Sequence, residues 1–383
     1  MEELGEADET KESDGSSGLR KISRLRQNGH SAPLREQRIT SMSETTPRAA
    51  GLDFLYRPIT VEMEATTALL KERLFGLDPA FSEYLDHSFR LGGKRLRPAL
   101  TLLCGKAVGA VDRRHYLCAA ALEMIHTGSL VHDDILDGAR FRRRLETVNA
   151  RWDSQRAVLI GDLLITRAFD LICECEDLAL FRKTAACCRA TVEGELLQVD
   201  SIGNFALTTA DYRKIVGGKT AALLECATHM GAYLGGARGE SLAAFERFGA
   251  ALGIAFQIVD DILDLVGDEA KTGKTLGTDL VNKKETLPLI LYLQNASESE
   301  RTATLKRLEA GVSLDERSEF AAMLTESGAV DAARAEADAL VDEALSIVAN
   351  LRETGEKTAR SEESAQAFDA LEALARFVVK RDK

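Results

Sequence analysis

The sequence predicts an all-α protein, a single helical bundle preceded by a disordered N-terminal tail. Three observations carry that expectation. Ala, Leu, Glu and Arg are abundant, whereas only 6 Pro and 5% aromatic residues occur among 383, which favours helices over a β-sandwich or barrel. No alternation of period two persists beyond a few residues, as a half-buried strand would require. From about Ile59 onward apolar residues recur at helical spacing, with punctuation at Gly92-Gly93, Asp112, Gly138, Gly203-Asn204, Gly217-Gly218, Gly235-Gly236, Gly267, Gly273 and Gly311.

Residues 1–50 hold clusters of Ser, Gly, Thr, Arg and Glu and no apolar stretch, so they read as a tail and not as a secretory signal. The tail is acidic up to Asp14, then carries seven Lys/Arg against two Glu between Ser17 and Ala50. An organellar presequence shares the basic character but is poor in acids at its start. Met42 is a second candidate initiator. Residues 51–383 form the expected domain, and no composition break marks another. Within it His115–Asp137 can start at Asp112 as N-cap and stop at Gly138. That segment is apolar around much of its circumference, which places it inside the bundle. Ser241–Val266 has the same character, and the last ninety residues return to ordinary amphipathic helices rich in Ala and Glu.

Bulk properties exclude several functions. The chain has 49 Lys+Arg against 61 Asp+Glu, a net charge of −12, which argues against a general nucleic-acid binder. No uncharged apolar run reaches the roughly 18 residues that span a bilayer; the best candidate, Gly249–Val266, is cut by Asp260, Asp261 and Asp264. Hydrophobic residues at 45% and charged residues at 29% suit a soluble globular chain with a large core. Cys104, Cys118, Cys173, Cys175, Cys187, Cys188 and Cys226 lie in apolar or helical stretches without zinc-like spacing, and read as buried free thiols of a cytoplasmic protein.

The strongest chemical signal is a pentapeptide, Asp-Asp-Ile-Leu-Asp, that occurs twice, at Asp133–Asp137 and Asp260–Asp264. Positions i and i+4 share a helix face, so Asp133 stands over Asp137 and Asp260 over Asp264, with Asp134 and Asp261 flanking. Clustered carboxylates beside apolar neighbours need compensating cations. A single cluster is readily a solvated helix end; two identical ones on core helices point to hard divalent ions. Mg²⁺ is the natural candidate, because it takes one or two carboxylates and completes its octahedron with water and substrate phosphates.

Basic residues accompany the aspartates. Gly92-Gly93-Lys94-Arg95-Leu96-Arg97-Pro98 presents three cations at a helix start, and Arg140, Arg142, Arg143 and Arg144 follow the first cluster directly. In a chain this acidic, such placement favours a polyanion whose charge exceeds what the metals neutralise. Gly218-Lys219-Thr220 and Gly273-Lys274-Thr275 end like P-loops, but Arg213 and Asp268 occupy the position where the pattern needs Gly, and neither follows a strand. His132-Asp133, with His115 or His126, matches the pair of helical metal-dependent phosphohydrolases but leaves the second cluster unexplained.

From about Leu91 to Pro288, and more weakly to Phe377-Val378-Val379, the chain resembles the trans-isoprenyl diphosphate (polyprenyl) synthases. GGKRLRP, IHTGSLVHDDILD, Arg142-Arg143, GGKTAALL, FQIVDDILD and GKTLGTDL followed by TLPLI stand in the family's order and approximate spacing. The resemblance implies the isoprenoid synthase fold: an all-α bundle around a deep central cavity, usually homodimeric, with the two motifs facing each other across its mouth. It implies that Asp133, Asp134, Asp137, Asp260, Asp261 and Asp264 hold Mg²⁺ against an allylic diphosphate. Lys94, Arg97, His126 and Arg143 then bind isopentenyl diphosphate; Arg142, Lys219, Lys274 and Lys284 bind the allylic diphosphate. Thr220 and Gln257 fall near the reacting carbon. Arg144 and Glu146 depart from the family's usual Gly and Pro, and Asn282-Lys283-Lys284 replaces its Gly-Lys.

The implied activity is a prenyl transfer. The allylic C–O bond ionises, the double bond of isopentenyl diphosphate attacks, and a proton is lost, with the released pyrophosphate commonly assigned as base. That needs no nucleophilic side chain, and the sequence offers no compelling catalytic His or Cys constellation. In the family, bulky aromatics four or five residues before the first motif close the cavity early. Ser129 and Gly128 stand there, which leads us to expect a geranylgeranyl or longer product. A stop at Ile125, Met124 or the facing Leu164–Phe169 is the alternative. Two rivals are a catalytically quiet partner subunit, which often loses aspartates that this chain keeps, and a terpene cyclase, which has no use for GGKRLRP. The expected partners are small prenyl diphosphates and a second copy of the chain. Membrane contact would be peripheral only, through a lipid product or the basic half of the tail.

Overall fold

Helices account for nearly all of the structure, a computed structural model that describes residues 55–75, 78–91, 93–267, 276–313, 315–354 and 361–380. The expected tail with Met42, and Gly92, Gly273 and Lys274, lie outside the described residues. In chain order the α-helices are α1 (Thr60–Phe75), α2 (Ser82–Arg90), α3 (Leu96–Val108), α4 (Arg113–Leu136), α5 (Val148–Arg151), α6 (Ser154–Cys173), α7 (Leu178–Ser201) and α8 (Thr209–Val216). They continue as α9 (Ala222–Gly235), α10 (Gly239–Val266), α11 (Thr278–Val281), α12 (Leu287–Asn295), α13 (Glu298–Ala310), α14 (Arg317–Glu326), α15 (Ala329–Thr354) and α16 (Glu362–Val379). The all-α expectation holds.

The helix that carries the first motif forms where its caps dictate. Asp112 accepts from the Arg114 backbone N–H, and the His115 ring accepts from the Asp112 N–H, so two orphan donors of the first turn are satisfied. The helix ends at Asp137, and Gly138 takes a left-handed φ of 61°. From Leu117 to Ile125 every residue of α4 is buried, as its continuous apolar circumference predicts. The α10 helix is likewise buried at Phe245, Phe248, Leu252, Ala255, Ile258, Val259 and Ile262.

Packing then sets the frame for the site. The tightest helix pairs are α4 on α6, α10 on α15, and α9 on both α3 and α10. One apolar cluster joins α1–α7, α9 and the first half of α10 with α16 and the later half of α15; a second gathers the later half of α10 against α8, α12, α14 and the first half of α15. Each motif thus occupies the last turns of a helix that is fixed by apolar contacts along its earlier turns.

Two sequence expectations are corrected. Gly217-Gly218 does not interrupt the helices: α8 runs through a wide π-turn (Gly217–Ala221) straight into α9. The glycines serve close approach instead, since a Cβ on Gly218 would stand 2.7 Å from the Ala190 carbonyl and 3.0 Å from Gly194 Cα on α7. A short antiparallel ribbon also follows the first motif, β1 (Phe141–Arg142) with β2 (Leu145–Glu146), pairing Phe141 with Glu146 and Arg142 with Leu145. Its two-residue turn is Arg143-Arg144, both at positive φ, 51° and 65°. Such turns require left-handed residues and favour glycine, so the departure at Arg144 keeps the turn at a cost of about 1 kcal/mol.

The cysteines are free among the described residues. Cys104, Cys118, Cys175, Cys187 and Cys226 are buried and Cys188 half-buried, whereas Cys173, at the end of α6, is exposed against expectation. Among the described residues no helix is long and apolar enough to cross a membrane.

Candidate active site

The first aspartate cluster is split by its own helix geometry. Asp134 is 1% exposed and bonds Arg142 in fork fashion, at 2.9 and 3.2 Å from Nε and 2.9 Å from Nη2. Asp133 and Asp137 lie on the other face. Burial pushes Asp133 up to about 6, with the nearby carboxylates of Glu195 and Asp137 adding to the rise against Lys219 and Arg142. Asp137 accepts a 2.8 Å bond from Lys284 Nζ, which reaches it from beyond the second motif.

The second cluster divides in the same way. Asp261, 5% exposed, accepts from the Tyr212 hydroxyl at 2.6 Å and from Gln257 Nε2 at 2.8 Å. Burial first, then repulsion from Asp279 and Asp260, raises it to about 8 despite those bonds. Asp264 anchors the start of α11, accepting from Thr278 Oγ1 at 3.0 Å and from the Asp279 N–H at 3.1 Å. Asp279 itself is pushed up to about 6 by burial and by Asp264, and also by Asp137 of the first cluster. Asp279, whose N–H is bonded to Asp264, and Lys284, bonded to Asp137, thus link the segment after the second motif to both motifs. Asp134 and Asp261, which flank the i, i+4 pairs, turn to Arg142 and to Tyr212 and Gln257.

Lys219 and Thr220 are delivered by the π-turn. Lys219 Nζ lies 2.7 Å from Glu195 Oε2 and donates to Gln198 Oε1 at 2.6 Å, both on α7. Thr220 Oγ1 donates to Gln257 Oε1 at 2.7 Å. A cleft between them is lined by Tyr212, Lys219, Gln257, Asp261, Asp279 and Lys284. Glu285 and Thr286 border the same cleft. Both carboxylate oxygens of Glu285 are buried without a partner, and burial pushes it up to about 7.

The GGKRLRP segment divides its cations among separate tasks. Arg95, left-handed at φ 52°, donates to Thr67 Oγ1 at 2.5 Å and is thereby occupied away from the aspartates. The Lys94 carbonyl accepts from Tyr56 at 2.7 Å, while its ammonium stands 5.1 Å over the Phe377 ring of α16. Arg97, with a buried Nε lacking a partner, is lowered to about 10 by burial against the attraction of Glu123. Burial and the charges of Arg97, Arg142 and Arg143 hold His126 well below its ordinary value, so its ring is neutral. Arg143 is lowered by burial and by Arg142, and drawn back up by Glu123 and Asp260. Their charges thus act on one another at Arg97, His126, Arg142 and Arg143, and Arg142 also acts on Asp133. Lys274 lies outside the described residues.

His132 does not join the aspartates as the phosphohydrolase alternative requires. Its Nε2 bonds the Val158 carbonyl of α6 at 3.0 Å, and His115 is spent on the α4 cap. Gly128 is not an open cavity floor either: a Cβ there would meet the Gly161 carbonyl at 2.9 Å and Ile165 Cγ1 at 3.1 Å, inside the α4–α6 crossing. Ser129 is half-buried and its hydroxyl donates back to the His126 carbonyl at 2.9 Å.

Four site residues escaped the sequence reading. Asp279 sits in the GTDL segment two residues after the glycine that follows the Lys-Thr pair, a signal available but unused. Glu195, Gln198 and Tyr212 offer none beyond helical spacing, because their partners are distant in the chain.

Among the described residues no group of three or more His, Cys, Asp or Glu side chains is near enough to hold a metal ion by itself. The donor set still fits a hard divalent cation. It consists of carboxylates, and Asp133 and Asp279 are both raised to about 6, first by burial and then by neighbouring carboxylates. Mg²⁺ asks for one or two carboxylates and takes its remaining oxygens from water and phosphate.

Fold and site together define a helical protein suited to a polyanion held through divalent cations. Residues 78–324 match the polyprenyl synthetase family model. The chain is 34% identical over 326 residues to the all-trans-nonaprenyl-diphosphate synthase (geranyl-diphosphate specific) of Rhodobacter capsulatus, covering 84% of this chain and 100% of that one. It is 34% identical over 276 residues to the geranylgeranyl diphosphate synthase of Methanosarcina mazei, covering 70% of this chain and 82% of that relative. The crystal structure of a Caulobacter crescentus polyprenyl synthase complexed with calcium and isoprenyl diphosphate superposes with a TM-score of 0.77 at 32% identity, covering 88% and 100% of the two chains. The chain belongs to the polyprenyl synthetase family.

Proposed function

We propose that the protein is a prenyltransferase that condenses isopentenyl diphosphate with an allylic prenyl diphosphate, releases pyrophosphate, and builds a trans polyprenyl diphosphate of geranylgeranyl length or longer. The observation that carries this reading is the 2.8 Å bond from Lys284, in the segment that follows the second aspartate motif, to Asp137 of the first, in a chain of this family. The relatives are named as synthases, and this chain keeps all six aspartates, so the quiet-subunit rival has no support.

Asp133, Asp137, Asp260 and Asp264 would hold Mg²⁺, whose chemistry is to neutralise charge gathering on departing pyrophosphate. Asp134 holds Arg142 in place, and Asp261 holds Gln257. Lys219 exchanges Glu195 and Gln198 for the allylic diphosphate, while Lys284 and Arg142 close around it, joined by Lys274. Lys94, Arg97, neutral His126 and Arg143 receive isopentenyl diphosphate, the buried Arg97 supplying the charge that is least screened. Thr220 and Gln257 present oxygen lone pairs and not a charge to the allylic carbon.

Exposed apolar side chains on α6 and α7 support a homodimer, and the free thiols support a cytoplasmic protein. Ser129 supports a cavity open beyond short chains. The test is incubation of purified protein with Mg²⁺, isopentenyl diphosphate and, separately, dimethylallyl, geranyl, farnesyl and geranylgeranyl diphosphates, with chromatography of the dephosphorylated products. We expect a Mg²⁺-dependent ladder ending at one length; no elongation from any primer by folded protein refutes the stand-alone enzyme.

A further inference from the structure

We propose that Tyr212 is a positioning residue for prenyl transfer, acting through Asp261 to fix the orientation of the Gln257–Thr220 pair. The proposal rests on the function proposed above, which places Gln257 and Thr220 at the reacting end of the allylic substrate.

Four side chains form one hydrogen-bonded series. The Tyr212 hydroxyl donates to Asp261 Oδ2 at 2.6 Å, Gln257 Nε2 donates to Asp261 Oδ1 at 2.8 Å, and Thr220 Oγ1 donates to Gln257 Oε1 at 2.7 Å. Gln257 lies one turn before Asp261 on the same face of α10, which is why the two meet. Both oxygens of Asp261 accept in this arrangement, Oδ2 from the phenol and Oδ1 from the amide, so the amide turns its NH₂ inward. The amide oxygen is thereby committed to Thr220, whose hydroxyl must donate. The lone pairs of Thr220 are left outward, the polarity that favours a developing allylic cation.

Tyr212 is what makes that direction unique. It is 3% exposed on α8 and sits in the apolar cluster with Val216, Ile258, Ile262 and Leu287, so its ring cannot swing away. Without its hydroxyl, Oδ2 is a buried acceptor lacking its donor, and the carboxylate gains a reason to rotate. The amide then loses its fixed partner and Thr220 its fixed direction. The phenol touches neither substrate nor metal in this scheme; it acts through Asp261.

The test is a double-mutant cycle on the full chain, with Y212F, Q257A and the double variant assayed for elongation alongside their Tm values. Y212F should lower kcat about tenfold, leaving the KM for isopentenyl diphosphate and the half-saturating Mg²⁺ unchanged, and should cost less than twofold in the Q257A background. Unchanged kcat, an equal loss in both backgrounds, or a change confined to KM overturns the proposal. If Y212F fails to fold, D261N replaces it, since an amide no longer dictates which end of Gln257 it meets; the same loss, absent in Q257A, is expected. An inactive wild type overturns the function itself, whereas an active wild type with these outcomes overturns Tyr212 alone.

Discussion

Asp133 is an acid that the fold holds against its preference. Its folded value of about 6 lies above the ordinary carboxylate value, so between about pH 4 and pH 6 the folded chain binds more protons than the unfolded one, and its contribution to stability declines as pH rises through 6. His115, His126 and His229, all lowered by burial, act in the opposite sense, because the unfolded chain protonates them first. The informative quantity is therefore a difference. In metal-free protein, D133N should melt on the order of a few degrees above wild type at pH 8 and close to it at pH 5, while Mg²⁺-dependent turnover is lost. A D133N variant that melts below wild type at pH 8 would show that Asp133 is not strained. The repeated pentapeptide makes Asp133 legible from sequence, since i and i+4 place it over Asp137. It leaves Asp134 and Asp261 unresolved, because spacing tells which face a side chain occupies and not which distant Arg142 or Tyr212 awaits it.

At the scale of the element, caps and apolar runs were readable and close approaches were not. Asp112 and Gly138 bound α4 as their chemistry demands, whereas Gly217-Gly218 reads as a break and is a π-turn. The missing information is the neighbour: Gly218 exists for the backbone of Gly194 on α7, and nothing near it in the chain says so. Gly128 teaches the same lesson with a functional consequence. Its hydrogen faces the Gly161 carbonyl across the α4–α6 crossing, so G128F must push α4 and α6 away from each other, an overpacking that costs about 1–3 kcal/mol or more. We expect G128F to lower Tm or abolish folding, whereas half-buried Ser129 has room to change. S129F should stay folded and shorten the final product of the elongation ladder. A folded S129F with an unaltered ladder would move the stop to another wall of the cavity.

For the whole molecule, the bundle is legible because burial around the full circumference of α4 and α10 requires other helices on every side. Assembly is written more faintly, in side chains that the bundle leaves uncovered. On α7, Val192, Leu196 and Val199 recur at one face and stand 59%, 58% and 46% exposed; on α6, Leu159 is 61% exposed. Scattered apolar residues need no explanation, but a row along one helix with support from its neighbour is what a proposed interface would cover. The occupant that matches best is a second copy of the same face, since a two-fold axis lets one apolar row cover another. The α6 helix is also the tightest neighbour of α4, so an interface there would buttress the first aspartate cluster from behind. Light scattering should give about twice the 41.7 kDa chain mass. The pair of substitutions V192E and L196E, at side chains 59% and 58% exposed, should yield a monomer, because four buried carboxylates about a two-fold axis repel and lose their hydration. Its kcat should fall if α4 depends on that support. A wild type that stays monomeric at assay concentration, or a double variant that still dimerises, would assign this face to another partner.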